Sequence, residues 1–388
     1  MQRLYETESR PKRAFLIGIR DSQTTKAEAE SLDLELKGLV NTLELEIAGY
    51  EQVRVRDRQP GFGMGSGKAR ELAEKAAGAE TDCLVFNWDA SPSQQRNWEE
   101  LSGIPAVDRQ ELIIKIFAER AKTREAELQV KLAELFYSLP RLSHKYIDLS
   151  RQRGGRYGTR GAGETRLETD RRQVERQIHK LEKELEKLQK QREIQRKLRE
   201  RQRTPVCAIV GYTNAGKSSL LNALTGSDVP VEDKLFATLD ATTRRFEYGP
   251  GQTALLTDTV GFIRRLPHSL IRAFRSTLEE AALADLLIHV LDAAEPEIDR
   301  FSQTTLSVLG DLGAENVPII TVLNKIDRIE AQPANPEDHA PPQAAGQLES
   351  LLARFPGSIA ISAKNGTGLA ELKQRIADML IPVTRGVR

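Results

Sequence analysis

Apolar positions along the chain change their spacing in three successive regions. From residue 13 to about 107, the short apolar runs "AFLIGI", "QVRVR", "CLVF" and "AVD" alternate with the amphipathic stretches "AEAESLDLELKGLVNTLELE", "SGKARELAEKA" and "SPSQQRNWEEL". Short runs of this kind predict strands and the longer ones helices, so residues 1–107 read as a small α/β domain.

From 108 to 203 the spacing becomes helical. Leu128, Leu132, Leu135 and Leu139 form one seam, and Val174, Ile178, Leu181, Leu185 and Leu188 a second, both in steps of four and three. A segment containing proline and glycine separates them, which predicts a long antiparallel helical hairpin. Its second arm, expected from about 165 to 203, would span about 55 to 60 Å at about 1.5 Å per residue.

From 204 to 388 the strand, loop, helix pattern returns in "PVCAIVG", "KSSLLNALT", "ALLTDT", "LLIHVLDAA", "PIITVLNKID" and "SIAISAK", ending on a helix from about 367 to 380. A parallel α/β domain follows. The proline- and alanine-rich "EAQPANPEDHAPPQAAG" at 330–346 reads as a surface insertion.

Composition narrows the function classes. Charged residues are 29% and apolar ones 39%, with a formal net charge of only +1, so local clusters carry the information rather than a uniform coat. The opening "MQRLYETESRPKR" lacks the apolar core of an export signal, and no run approaches the roughly 18 to 20 apolar residues of a membrane span. A cytoplasmic protein is expected, with peripheral membrane association the only membrane contact left open. Cys83 and Cys207 lie inside strand-like runs as buried thiols, and the scattered histidines lack the spacing of a zinc site.

Two glycine-rich stretches precede a Gly-Lys pair. "GYTNAGKSS" satisfies G-x-x-x-x-G-K-S through Gly211, Gly216, Lys217 and Ser218, between a strand and a helix. There backbone N–H groups of Gly211, Tyr212, Thr213, Asn214, Ala215, Gly216 and Ser219 are placed to meet phosphate oxygens. Lys217 would neutralise the β- and γ-phosphates and Ser218 would ligate Mg²⁺. "GFGMGSGKA" at 61–69 fails the same pattern: Phe62 stands where the first glycine belongs, and Ala69 after Lys68 has no hydroxyl for a metal. It reads as a turn that caps a helix, with weak anion binding at that helix N-terminus the competing reading.

The downstream motifs select the base. In "NKID", Asp327 can accept from N1–H and the exocyclic amine of guanine, Lys325 can cover the ring and Asn324 completes the motif. In "SAK", Ser362, Ala363 and Lys364 bring backbone N–H to the guanine O6. GTP and GDP are therefore the expected ligands. "DTVGF" places Asp258 to hold Mg²⁺ through water and Gly261 to offer its N–H to a γ-phosphate. The next residue is Phe262, whose ring cannot orient water, so intrinsic hydrolysis is expected to be slow. Asn214 stands where some GTPases ligate K⁺, or else it stabilises the loop. In "FATLDATTRR", Thr238 is the preferred switch threonine for Mg²⁺, with Thr242 and Thr243 as competitors. Lys217, Thr238 and Gly261 form the expected catalytic set. Asp292, at a strand end near the site, reads as structural.

Between the seams lies "RLSHKYIDLSRQRGGRYGTRGAG" at 141–163, with Arg141, Lys145, Arg151, Arg153, Arg156 and Arg160 against Asp148 alone. Arginines, glycines and Tyr146 and Tyr157 together suit irregular RNA, through phosphate charge and stacking on splayed bases. Arg151, Arg153, Arg156, Tyr157 and Arg160 are the expected RNA contacts; a solvated charged loop is the plainer alternative.

Taken in order, "SPSQQRN", "ELQVKLAEL", "LPRL", "GTRGAGETRLETDRR", "GYTNAGKSSLLNALT", "DKLFATLDATTRR" and "LTDTVGFIRRLPHSLIRAFRSTL" resemble the HflX family of ribosome-associated GTPases over nearly the whole chain. The resemblance implies an α/β protein whose P-loop GTPase domain follows a small α/β domain and the helical hairpin. It implies binding to the large ribosomal subunit and its rRNA, splitting of stalled or idle ribosomes under stress, and slow GTP hydrolysis stimulated by ribosomes. ATP use through the N-terminal region is also associated with the family. Ala162 and Ala241 depart from it, standing where proline is usual. The chain ends at Arg388 soon after its last helix, so contacts made by the C-terminal extension of some members are not expected of it.

Overall fold

The structure, a computed structural model, describes residues 12–142, 160–201, 204–249, 251–265, 267–330 and 343–385. Contacts group the chain into two compact units: Met1–Glu119 with Glu127–Leu185, and Arg120–Ala126 with Glu186–Arg388. The helical region of 108–203 is thus shared between both units.

In the first unit, β1 (Arg13–Arg20), β2 (Glu46–Arg54), β3 (Cys83–Phe86) and β4 (Ala106–Val107) form a parallel sheet in the order β2-β1-β3-β4. β1 is covered on both faces, which is why it reads as a continuous apolar run rather than an alternating one. Helix α1 (Lys26–Thr42) starts where the Thr25 hydroxyl accepts from the Glu28 N–H at 3.2 Å. It stops earlier than its amphipathic pattern suggests, because Glu46 is drawn into the β1 ladder opposite Arg13. Helix α2 (Ser66–Gly78) follows the glycine-rich loop, and α3 (Pro92–Ser102) opens on a Ser91–Gln94 capping box.

The first arm of the expected hairpin is two helices, α4 (Arg109–Arg120) and α5 (Arg124–Ser138), divided at Ala121–Thr123. The break is capped from within: the Thr123 hydroxyl accepts from the Ala126 N–H at 3.2 Å. Leu128, Leu132 and Leu135 are buried as their spacing predicts, while Leu139 opens a 3₁₀ turn. The second arm is α6 (Arg160–Arg201), 42 residues and about 63 Å long at about 1.5 Å per residue. It begins inside the segment expected to be loop up to 163. Of its seam only Ile178 is buried; Val174, Leu181, Leu185 and Leu188 are half-buried.

Arg141, counted among the loop cations, is committed elsewhere. Its guanidinium meets the buried Asp108 carboxylate at 3.0 Å and the Ala90 carbonyl at 3.0 Å, and lies over the Tyr137 ring. Asp108 is so deeply buried that, against Arg141's pull, its carboxyl is pushed up to about 7. Arg151, Arg153, Arg156 and Tyr157 lie outside the described residues; Arg160 opens α6.

The second unit holds a mixed sheet, from β5 (Val206–Gly211), β6 (Thr242–Gly249), β7 (Gln252–Asp258), β8 (Leu286–Asp292), β9 (Ile319–Asn324) and β10 (Ile359–Ala360). The order is β10-β9-β8-β5-β7-β6, and only β6 runs antiparallel to its neighbour. β5 has β7 on one side and β8 on the other, so its carboxyl end opens at the point where the winding changes direction, the standard crevice for a ligand in such sheets. Among the described residues, no helix is long and apolar enough to cross a membrane.

One core residue sets a pH limit. His289 on β8 is buried with Nε2 lacking a hydrogen-bond partner, and burial alone pulls its pKa from 6.5 down to about 4. A depressed folded-state pKa means that the folded form binds fewer protons than the unfolded chain between those values. Stability from this group is therefore complete above about pH 6.5 and falls by on the order of 3 kcal/mol toward pH 4. Denaturant titrations at pH 4.5 and 7.5 should show a smaller acid loss in His289→Leu than in the wild type; equal losses would refute the assignment. The comparison isolates His289 from Asp258, whose burial acts in the opposite direction.

Candidate GTP site

The loop after β5 runs into α7 (Lys217–Thr225), whose N-cap, Gly216, offers no side-chain cap. Gly216 has φ +92° and a Cβ there would strike the Asn324 side-chain amide, so only glycine fits. The loop is pinned from outside as well: the Thr213 N–H donates to the Phe262 carbonyl at 2.7 Å, and the Phe262 N–H returns to the Gly211 carbonyl at 3.1 Å. Through this parallel bridge the "DTVGF" segment and the P-loop become one frame. Gly261 packs so tightly on it that a Cβ would lie 2.7 Å from the Thr213 Cα and 2.9 Å from Lys217 Nζ.

Lys217 is buried, and its ammonium donates to the Tyr212 carbonyl at 2.8 Å. Burial pulls its pKa down to about 8, partly offset by the Asp258 carboxylate. Ser218 Oγ donates to Asp258 Oδ2 at 2.6 Å and lies 2.8 Å from Thr238 Oγ1. Three segments far apart in sequence thus deliver a serine, a threonine and a carboxylate to one point. Thr242 and Thr243 do not join them; they stand in the β6 ladder opposite Asp258 and Thr257, and Thr243 Oγ1 pairs with Thr257 Oγ1 at 3.0 Å.

Asp258 is fully buried, yet its Oδ1 has no hydrogen-bond partner, and burial pushes its carboxyl above the usual range against the pull of Lys217 and the two hydroxyls. Such an orphaned anionic oxygen beside two hydroxyls fits a hard divalent cation that completes its shell with waters and phosphate oxygens. Among the described residues no group of three or more His, Cys, Asp or Glu could hold a metal by itself. A cleft lies over these groups, walled by the P-loop and by Val231, Glu232, Lys234 and Phe236.

The base motifs form a linked assembly. Asn324 donates to the Ala215 carbonyl at 2.9 Å and accepts from the Ala363 N–H at 3.0 Å, so one buried amide joins the P-loop to "SAK". Asp327 Oδ1 accepts from Ser362 Oγ at 2.6 Å. Lys325, at φ +65°, donates to the Asn214 carbonyl at 2.6 Å and pairs with Asp292 at 2.8 Å. Asp292, read from the sequence as structural, braces Lys325 of the base motif. The contact arises because β8 and β9 pair with Asp292 opposite Asn324, a register invisible along the chain. Lys364 is exposed.

Other side chains turn to structural work. The Tyr212 ring stacks on Phe301 at 3.8 Å and its hydroxyl accepts from the Arg264 N–H at 2.8 Å, which leaves its main chain to face a nucleotide. Asn214, at φ +61°, donates to Asp233 at 2.7 Å. Phe262 is buried, 1% exposed. Phe262→Gln should accordingly cost about 1–3 kcal/mol by burying an amide without raising intrinsic hydrolysis; a stable, faster variant would contradict this placement. In the N-terminal loop, Met64 is buried, Phe62 packs edge-on to Trp98, and Lys68 pairs with Glu71 of its own helix at 2.7 Å.

The chain matches three family models: a GTP-binding GTPase N-terminal region at 29–118, a GTP-binding GTPase middle region at 120–199, and a 50S ribosome-binding GTPase at 206–325. It is 46% identical to GTPase HflX of Akkermansia muciniphila over 99% of this chain and 88% of that protein. It is 44% identical to GTPase HflX of Caldanaerobacter subterraneus over 97% and 82%. Among solved structures, a GTP-binding protein from Sulfolobus solfataricus in complex with GDP aligns at 25% identity, covering 96% of this chain and 99% of that one, with a TM-score of 0.47. A P-loop joined through one asparagine to the "NKID" and "SAK" segments, in a chain this similar to those relatives along its whole length, places the protein in the HflX family of GTPases.

Proposed function

We propose that this protein is a ribosome-associated GTPase of the cytoplasm that binds the large subunit and separates stalled or idle ribosomes into subunits, hydrolysing GTP slowly alone and faster on the ribosome. The observation that carries the reading is the linked cluster of Lys217, Ser218, Thr238, Asp258 and Asn324 inside the region that matches the 50S ribosome-binding GTPase model.

In this reading Lys217 neutralises the β- and γ-phosphates, and the backbone N–H groups of Gly211–Ser219 cradle the chain of phosphates. Ser218, Thr238 and, through water, Asp258 hold Mg²⁺, which when bound neutralises charge on the β- and γ-oxygens. Gly261 offers its N–H to the γ-phosphate. Asp327 reads the guanine edge, Lys325 covers the ring with its ammonium held by Asp292, and the Ser362–Lys364 backbone meets O6. K⁺ at the P-loop would use the Asn214 side-chain oxygen, Oδ1, since its Nδ2 serves Asp233 and its backbone carbonyl accepts from Lys325. Slow intrinsic turnover follows from Phe262, whose buried ring leaves the water to be oriented by another group. The "GFGMGSGKA" loop acts as a structural turn rather than a second nucleotide site, and Arg151, Arg153, Arg156, Tyr157 and Arg160 meet rRNA.

GTP binding would order switch and "DTVGF" segments and favour the ribosome-bound form, so splitting draws on differential binding and hydrolysis permits release. The test is sedimentation of intact ribosomes with the full chain and either GTP or a non-hydrolysable analogue. Free subunits should rise with both nucleotides, and less so when Arg151, Arg153, Arg156 and Arg160 are neutralised. Binding without any rise in free subunits would instead indicate an assembly factor for the large subunit.

A further inference from the structure

The stretch 226–241 contains no helix or strand, yet it is held closed over the P-loop. Some of the hold is local: the Phe236 N–H donates to Thr213 Oγ1 at 2.8 Å, and Thr238 reaches Ser218. A segment this irregular pays conformational entropy for each ordered residue, so its position depends on further anchors. Two of them come from Arg120–Ala126, a stretch more than a hundred residues earlier.

Asp240, two residues beyond Thr238, accepts three hydrogen bonds from that stretch. They come from the Lys122 N–H at 3.1 Å, the Thr123 N–H at 3.3 Å and the Thr123 hydroxyl. At the other end, the Arg120 guanidinium meets both Glu232 carboxylate oxygens, at 3.0 and 2.6 Å. Residues 232–240 are thus tied at both ends to the short break between α4 and α5. The break has its own footing. Glu125 pairs with Arg192 of α6 at 2.5 Å, and Arg192 pairs with Glu280 of α8 (His268–Ala282), the helix that follows "DTVGF", at 3.3 Å. The Arg120–Glu232 pair is partly solvated and contributes little by itself. The Asp240 carboxylate on two backbone N–H groups and a hydroxyl is the stronger tie, since charge-assisted bonds of this kind are about twice as strong as neutral ones.

We propose that Arg120 and Thr123 are positioning residues of the GTP site, which hold residues 232–240 through Glu232 and Asp240 so that Thr238 stays beside Ser218 and Asp258. Thr238 meets Mg²⁺ and the γ-phosphate side of the nucleotide, so the clasp acts on the triphosphate state and leaves GDP binding unaffected. This inference rests on the reading of Thr238 as the switch threonine. Arg120–Ala126 is also the covalent stretch whose flanking residues, Glu119 and Glu127, belong to the other compact unit. By linkage, a partner that pulls on the first unit and strains this stretch would weaken GTP binding, and GTP would resist that strain by the same factor. The GTPase region would in this way report its nucleotide state to the rest of the chain through a few named bonds.

The experiment measures, on the full chain with Mg²⁺, the affinities of fluorescent GDP and of a fluorescent non-hydrolysable GTP analogue. The variants are Thr123→Val, Thr123→Ser, Arg120→Ala, Asp240→Asn, Thr123→Val with Asp240→Asn, and Thr238→Ala. Thr123→Val and Asp240→Asn should each weaken the analogue about 5- to 30-fold while GDP stays within about twofold, and the double variant should lose no more than the worse single one. Thr123→Ser, which keeps both the hydroxyl and the helix cap, should restore the wild-type ratio, and Arg120→Ala should shift it in the same direction by less. Equal losses for both nucleotides, additive losses in the double variant, or an unchanged ratio would overturn the clasp. If Thr238→Ala leaves the ratio of analogue to GDP affinity at the wild-type value, the underlying assignment of Thr238 fails instead.

Discussion

Lys217→Ala should lower GTP turnover by at least about 10²- to 10³-fold, the range for removing one preorganised charge-stabilising donor. The ammonium is buried and donates to the Tyr212 carbonyl, and desolvation disfavours its charged form. Phosphates would add to the counter-charge that Asp258 supplies, and more fully as the γ-phosphoryl separates. The check is turnover of GTP and of ATP by wild type and variant, with and without purified large subunits. Loss of all turnover would leave one nucleotide engine in the chain. ATPase surviving in Lys217→Ala would locate a second engine at "GFGMGSGKA", where Lys68 is now paired with Glu71 and Phe62 and Met64 are committed to packing.

The second large effect is expected at Gly216. Gly216→Ala places a methyl group on the Asn324 amide and a side chain at φ +92°. If Asn324 moves away, the Ala215 carbonyl and the Ala363 N–H each lose a partner, at about 1–3 kcal/mol per buried group. Backbone strain adds about 1–2 kcal/mol. Part of this cost falls on the bound state, so GDP and GTP affinity should fall together by about 10²- to 10³-fold, at 1.4 kcal/mol per decade. Gly226→Ala serves as the control: its φ is +66°, but nothing lies within 4 Å of an added Cβ. That variant should lose about 1 kcal/mol of stability and keep its nucleotide affinity. Equal affinities in Gly216→Ala and wild type would show that the asparagine bridge does not matter for binding.

The asparagine bridge and the clasp on 232–240 share a design feature. In each, a polar side chain ties together segments distant in sequence, Asn324 to Ala215 and Ala363 and Asp240 to Lys122 and Thr123, so the fold itself supports that part of the site. Such support on the base side suits tight binding of either nucleotide, whereas the switch side needs anchors that respond to a single phosphate. The bridge is buried, with Asn324 2% exposed, while Glu232 in the clasp is 42% exposed at its side chain. Solvated bonds are the ones a binding partner can break at small cost.

Much of this protein was legible from spacing. The P-loop, "NKID" and "SAK" are short motifs whose chemistry depends on residues adjacent in sequence, and the strands of both sheets follow from runs of apolar residues, except β6, whose "TTRRFEYG" has no such run and was not foreseen. Tertiary structure decided what spacing leaves equivalent. Three threonines stood within six residues of one another, and only the pairing of β6 with β7 takes Thr242 and Thr243 into a ladder and leaves Thr238 at Ser218. Arg141 has the composition of an RNA contact, but burial of Asp108 beside it claims its charge. Asp292 becomes a brace for Lys325 through strand register, and the break at Ala121–Thr123 becomes an anchor for residues 232–240 through contacts across more than a hundred residues. The physical reason is the same in each case. A side chain's identity sets which bonds it can form, but a buried charge or hydroxyl takes the partner that the fold brings within 3 Å, and that partner is not encoded in its neighbours along the chain.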